Sequence, residues 1–246
     1  MIYAMQELGK YTSLLYQALR SSTEVKTYRK NLVHELVKVG YDSLGIIVLV
    51  GLFTGAVLTI QTAYQLELSF IPLTTIGSIV SESILIELAA VISSLVLAGK
   101  VGARIATELG TMKVSEQVDA LESMGFNSVT FLVIPRVLAG LLMFPILYIV
   151  ASVCGIGGGL VAGILTGVVP SSDFITGAQM FFTPWNVLFG FVKSFVFGFV
   201  ITSIACYKGY YASGGAEGVG TCTTQATVLG CIFVLLADFM LAVLLL

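Results

Sequence analysis

Residues 43–66 run for 24 positions without a charge, and residues 137–172 run for 36. One helical crossing of a bilayer takes about 20 apolar residues. Runs of this length have only two stable homes, spanning helices or a closed barrel. In hydrocarbon every backbone N–H and C=O must find its partner inside the protein. Barrel strands are short and alternate apolar with polar residues, whereas these runs are continuous. The sequence therefore predicts an all-α, polytopic membrane protein. Composition agrees, with 57% hydrophobic and 11% charged residues against about 25% charged in a soluble domain.

Taken in order, residues 1–42 are too polar to span, and they lack the apolar core and cleavage site of a signal peptide. Met5, Leu8, Thr12, Leu15 and Leu19 recur at a 3-4-3-4 spacing beside Tyr3, Tyr11 and Tyr16. That pattern predicts an N-terminal helix lying in the interface plane. A polar elbow at 21–30 and a second amphipathic piece at 32–39 follow, with His34 read as a surface residue. The transmembrane domain is 43–246, with spans predicted at 43–66, 76–98, from 131 past 153, at 185–206 and at 221–246. Gly51 and Gly55 permit close helix approach in the first span. Pro145 predicts a kink in the third, whose uncharged run is too long for one straight crossing and should bend at its outer end. Gly155, Gly159, Gly163 and Gly167 then form a small-residue ridge, which could pack within one protomer or form a dimer seam. The glycine-rich stretch 208–220 reads as a surface turn.

Of the twelve Lys and Arg residues, eleven lie in the N-terminal region, in the polar island 100–136, or at Lys208. The twelfth, Lys193, is inside a span. The turns near Pro72 and near Asp173 have none. The positive-inside rule then puts the N-terminus, the island and Lys208 in the cytoplasm. Five spans put the C-terminus on the opposite side.

The island 100–136 is predicted to be cytoplasmic, and coupling to a soluble partner is one of two readings of it. Wound as a helix, 114–124 places Val114, Val118 and Leu121 on one face, with Ser115, Asp119 and Glu122 in a polar row and Glu116 further round. Lys113 and Glu116 are spaced to pair, worth a few tenths of a kcal/mol. Such a helix either rests on the headgroups or offers a soluble partner a grip. Glu82, Glu87, Lys193 and Asp238 are charges inside spans. A charge at mid-bilayer costs a few kcal/mol, so these must face protein or water. Lys193 could pair with Asp238 or Glu87 and lock the bundle. The same charges could instead line a cavity or relay protons. Glu82 reads as an interfacial carboxylate.

No P-loop, G-x-S-x-G or H-E-x-x-H motif occurs. Cys154, Cys206, Cys222 and Cys231 lie singly, without metal spacing to His34. No catalytic residue, metal, disulfide or other cofactor is expected, and energy coupling would need a nucleotide site on another chain.

The island sequence GARIATELGTMKVSEQVDALESMGFNSVTFLVIPRVLAG resembles the signature region of MlaE-type permeases, also called the YrbE family. GLFTGAVLTIQ at 51–61, ELAAVISSLVLAGKVG at 87–102, VKSFVFGFVITSIACYKGY at 192–210, GAEGVGTCTTQATV and ADFMLA extend the likeness over nearly the whole chain from about residue 30. The resemblance implies the permease subunit of an ABC system that moves phospholipid, multi-pass in the bacterial inner membrane, with the N-terminus cytoplasmic and the C-terminus periplasmic. It implies a homodimer, a cytoplasmic ATPase subunit, a periplasmic MCE-domain protein, in some systems a STAS-domain subunit, and no nucleic acid. Residues 108–121 would be the coupling region, with Glu116 and Asp119 among the ATPase contacts and Glu108, Lys113 and the adjoining Glu122 as further coupling residues. Gln61, Leu66 and Glu87 would line the substrate cavity. Lys193 and Asp238 match recurring charged positions. Family members often carry Arg before that glutamate and Gly-Pro after the next Leu. This chain has Ile86, Glu87, Leu88, Ala89 and Ala90 there. A proton-coupled secondary transporter and a non-transporting assembly anchor are the alternative functions.

Overall fold

The structure, a computed structural model, describes residues 2–20, 25–66 and 72–245. The side chains of 2–5, 8, 19, 20 and 25–28 lie outside that description. The sequence readings at Met5, Leu8 and Leu19, at the core of the 21–30 elbow and at the start of the first outer turn therefore fall outside the described residues.

Helix α1 is Ile2–Arg20. Helix α2 (Val25–Leu36) passes through a π-helical turn, Val37–Tyr41, into α3 (Asp42–Leu66). Helices α4 (Thr74–Ser83), α5 (Ala89–Leu97) and α6 (Ala103–Val114) are joined by π-helical turns at Ile84–Leu88 and Ala98–Gly102. The short α7 (Gln117–Ser123) follows, then α8 (Ser128–Thr166), α9 (Ser171–Met180), α10 (Pro184–Tyr210) and α11 (Gly215–Leu245). Among the described residues, five helical runs are long and apolar enough to cross a membrane. The protein is all-α and polytopic.

Several boundaries differ from the sequence reading. Helix α8 continues through Pro145 for 39 residues. The irregular outer end begins only at Gly167, where φ is +69°, and the chain then turns at Pro170 into α9. The predicted helix 114–124 is two helices, because Glu116 adopts a left-handed φ of 60° and separates α6 from α7. The second spanning run extends from Thr74 to Val114, 41 residues. That is about twice what one crossing needs, and its charged end is α6.

The chain divides into two compact units, the first made of Met1–Tyr41, Leu95–Met143 and Val196–Ala237, the second of Asp42–Ser94, Phe144–Phe195 and Asp238–Leu246. In the first unit Val39, Val101, Ile105, Leu109, Val133 and Phe197 are buried. Helix α1 is fixed to α10 there: Leu14 is buried, Tyr11 and Ser203 share a hydrogen bond of 2.8 Å, and the Tyr207 hydroxyl donates to Glu7 at 2.8 Å. Apolar contact alone sets no register along a helix; these polar contacts do.

The second unit buries Ile47, Ile76, Val80, Phe144, Tyr148, Phe174 and Phe189. Here α3 and α8 touch backbone to backbone. A Cβ on Gly55 would overlap the carbonyl of Gly155, and Gly159 faces Thr59. The glycine ridge thus packs within the protomer, where loss of bulk permits close van der Waals approach in a solvent that offers no hydrophobic drive between helices. Helices α4 and α9 meet the same way, with Gly177 against the backbone of Thr74 and Ser78 donating to the Gly177 carbonyl at 2.8 Å. Leu49, Phe53 and Val57 on α3, and Leu236, Phe239 and Val243 on α11, are exposed.

Candidate functional site

The second unit gathers three of the four intramembrane charges. The Lys193 ammonium lies 2.6 Å from Glu87 Oε2 and 2.7 Å from Asp238 Oδ1. The ring of Phe189 sits 4.6 Å from it. Lys193 is fully buried, whereas the Glu87 side chain is 39% exposed. The sequence left open which carboxylate Lys193 would meet; it meets both. Glu87 belongs to the π-helical turn Ile84–Leu88, closed by the Ala89 N–H donating to the Ile84 carbonyl. A π-helical turn inserts a residue and re-aims the side chains around it. Ala89 and Ala90 continue the chain into α5 without a break. Glu82, half-buried near the end of α4, is in no ion pair among the described residues.

Beside this triad, Gln61 lies in an open recess of about 430 Å³ with Phe53, Thr54, Val57, Leu58 and Leu88. The Gln61 amide and the Thr54 hydroxyl are the polar side-chain groups among these residues, and the others are apolar. Leu66, the last residue of α3, is not among the residues lining this recess, and Glu87 faces Lys193 next to it in sequence from Leu88.

The first unit holds a different cluster. Glu108 on α6 receives Lys38 at 2.9 Å and Arg136 at 3.3 Å. Arg104 lies 3.8 Å from Glu108 and 3.4 Å from Glu35, and Arg136 lies 3.5 Å from Glu35. Arg136 also donates to the Leu132 carbonyl at 2.7 Å. Five charges thereby join α2 with its π-helical turn, α6 and α8. The sequence reading found Glu108 alone of these. A helical wheel cannot link residues such as Glu35 and Arg104, which stand 69 positions apart.

Past Val114 the coupling residues separate into two kinds. The expected Lys113–Glu116 pair does not form, because the left-handed Glu116 ends the helix that would align them. Lys113 instead binds Asp119 at 2.6 Å, folding α7 back on the end of α6. Glu122 accepts hydrogen bonds from Ser128 and from Tyr210, the latter at 3.2 Å, which ties α7 to α8 and α10. Val118 is the one residue of α7 that is fully buried. Glu116, Gln117, Met124 and Phe126 are exposed. The element is thus tied to α6, α8 and α10 by one ion pair and two hydrogen bonds, and most of its surface is exposed.

Comparison with known proteins bears on this arrangement. The model of a family described as "Permease MlaE" matches residues 32–244. A protein of Rickettsia bellii named as a probable ABC transporter permease is 36% identical over 236 residues, 96% of this chain and 91% of its own. The intermembrane phospholipid transport system permease protein MlaE of Haemophilus influenzae is 34% identical, over 95% of this chain and 90% of its own. The chloroplastic protein TRIGALACTOSYLDIACYLGLYCEROL 1 of Arabidopsis thaliana is 34% identical, over 88% of this chain and 62% of its own.

Proposed function

The chain belongs to the MlaE permease family, and from that premise we propose that it is the membrane subunit of an ATP-driven transporter that moves phospholipid between the inner membrane and the outer envelope. The permease itself carries no hydrolytic chemistry. ATP hydrolysis is assigned to a cytoplasmic partner that grips α7, and lipid is passed onward through a periplasmic MCE-domain protein. Two permease protomers form the core, in some systems with a STAS-domain subunit on the ATPase. The N-terminus faces the cytoplasm and the C-terminus the periplasm.

The observation that carries this reading is the mounting of α7. Lys113–Asp119 and the Glu122–Ser128–Tyr210 group fix its rear to three spanning helices, and its front is exposed. Force applied at Glu116 and Gln117 would pass to α6, α8 and α10 without being absorbed by a loose loop. ATP-driven closure of the partner would shift the spans and expel a lipid from the recess at Gln61.

Glu116→Lys tests the docking face, since Glu116 makes no ion pair among the described residues. It should reduce co-purification of the ATPase while leaving the thermal unfolding temperature unchanged. Exchanging Lys113 and Asp119 with each other keeps their pair and should retain binding better than Asp119→Lys alone. Full ATPase recovery with Glu116→Lys and Asp119→Lys combined would remove α7 from the interface.

A further inference from the structure

A polar cleft of about 520 Å³ opens in the first unit, where α1, the end of α10 and the first turns of α11 come together. The coupling and transport steps do not use it. Its walls carry Glu7, Lys10, Tyr207, Lys208, Tyr211 and Glu217. Two cations and two carboxylates sum to zero, so net charge selects neither a lone anion nor a lone cation.

The charges are not all spent on each other. Glu7 accepts from the Tyr207 hydroxyl at 2.8 Å and from Lys208 at 3.4 Å. The Tyr207 hydrogen bond first, and Lys208 after it, hold the Glu7 carboxyl below its ordinary range. Lys10 stands 6.0 Å from the centre of the Tyr211 ring and is in no ion pair among the described residues. Glu217 is exposed in the first turn of α11. Lys10 also helps lower the Glu7 carboxyl through space, and the exposed Glu217, like Lys10, is in no ion pair among the described residues.

A ligand that satisfies both ends must join an anion to a cation. Tyrosine faces can take up part of the cationic end. The depth of the cleft narrows the source. Helices α10 and α11 are spanning helices that turn at this point, and α1 carries the apolar spacing of a helix in the headgroup layer. Tyrosine and snorkelling lysine are the side chains of that layer. We propose that this cleft holds the headgroup of a zwitterionic phospholipid, a phosphodiester with a tethered ammonium, drawn from the leaflet at the basic face of the protein. The phosphodiester meets Lys10, and the ammonium meets Glu217 and the tyrosine rings. The bound lipid braces α1 against the α10–α11 turn. This rests on α10 and α11 spanning a membrane, and not on phospholipid being the transported cargo.

The test uses the purified full chain in detergent, titrated with dioctanoyl phosphatidylethanolamine, dioctanoyl phosphatidylglycerol or soluble glycerophosphoethanolamine, with bound species counted by native mass spectrometry. The wild-type chain should retain the ethanolamine lipid in preference to the glycerol lipid. Lys10→Glu should weaken that retention about tenfold, the size of one charge-assisted hydrogen bond. Lys10→Gln, which keeps an amphipathic stem over Tyr211, should weaken it as well. Glu217→Lys should reverse the preference toward the anionic phosphatidylglycerol, a change that a merely structural role would not produce. Lys30→Gln, an exposed lysine outside the cleft lining, should leave all of this unchanged. An unaltered lipid preference in Glu217→Lys would overturn the proposal. So would glycerophosphoethanolamine competing as well as the lipid, because the ligand would then be a soluble phosphodiester.

Discussion

The two charge clusters solve the same problem in different ways. In the first unit Glu108 is met by Lys38, Arg104 and Arg136, and Glu35 by Arg104 and Arg136. Each carboxylate has a substitute partner if one cation is lost. In the second unit a single ammonium, Lys193, serves both Glu87 and Asp238. The first cluster is redundant and partly wetted; the second has one buried centre and no reserve. A shared network suits an element that carries load, because no single contact bears it all. A single buried cation suits a place where one event, a bound phosphate or a shifted helix, can change the whole arrangement.

The comparison breaks most visibly at Lys193. Lys193→Met leaves two carboxylates without a cation, and loss of one partner of a buried pair costs about 3–5 kcal/mol. Thermal unfolding in detergent should show a large drop. Replacing the triad together, Lys193→Met with Glu87→Gln and Asp238→Asn, should recover most of that loss, since a buried ionic group exchanged whole for neutral residues is often near neutral in stability. If lipid transport returns along with stability, the triad only locks the helices; if transport stays lost, the charges line the path. Next in size is Arg136→Ala, which deprives Glu35, Glu108 and the Leu132 carbonyl together. It should cost about 1–3 kcal/mol, less than Lys193→Met because Arg104 and Lys38 remain. The smallest effect belongs to Lys38→Ala. Its pair with Glu108 is partly exposed, so its loss should stay within about 1 kcal/mol. A Lys38 effect as large as that of Lys193 would refute the redundancy.

The spans were legible because hydrocarbon leaves no choice about charge. Runs such as 43–66 announce themselves, and so does a lysine set among phenylalanines at 193. The glycine ridge was visible too, although only the structure decides between packing in one protomer and a seam between two. The π-helical turns were not legible. Nothing distinguishes Ile84–Leu88 in composition from its neighbours, because the inserted residue answers to packing across helices. The Glu116 break escaped because helical periodicity runs through it unbroken, and one left-handed residue that is not glycine leaves no mark in a wheel. The Glu35–Arg104–Glu108–Arg136 network was hidden for a third reason. Its members read as ordinary solvated charges until the fold brings α2, α6 and α8 together.

The account turns on α7 being a cytoplasmic lever held from behind by the spanning helices. In a chain whose four cysteines are replaced by serine or alanine, Gln117→Cys can be probed with a membrane-impermeant maleimide. The account predicts no labelling in intact spheroplasts, labelling once the inner membrane is opened, and protection from labelling when the ATPase is bound. Labelling of Gln117→Cys in sealed spheroplasts would put α7 on the wrong side of the membrane for any nucleotide-hydrolysing partner and would contradict the account.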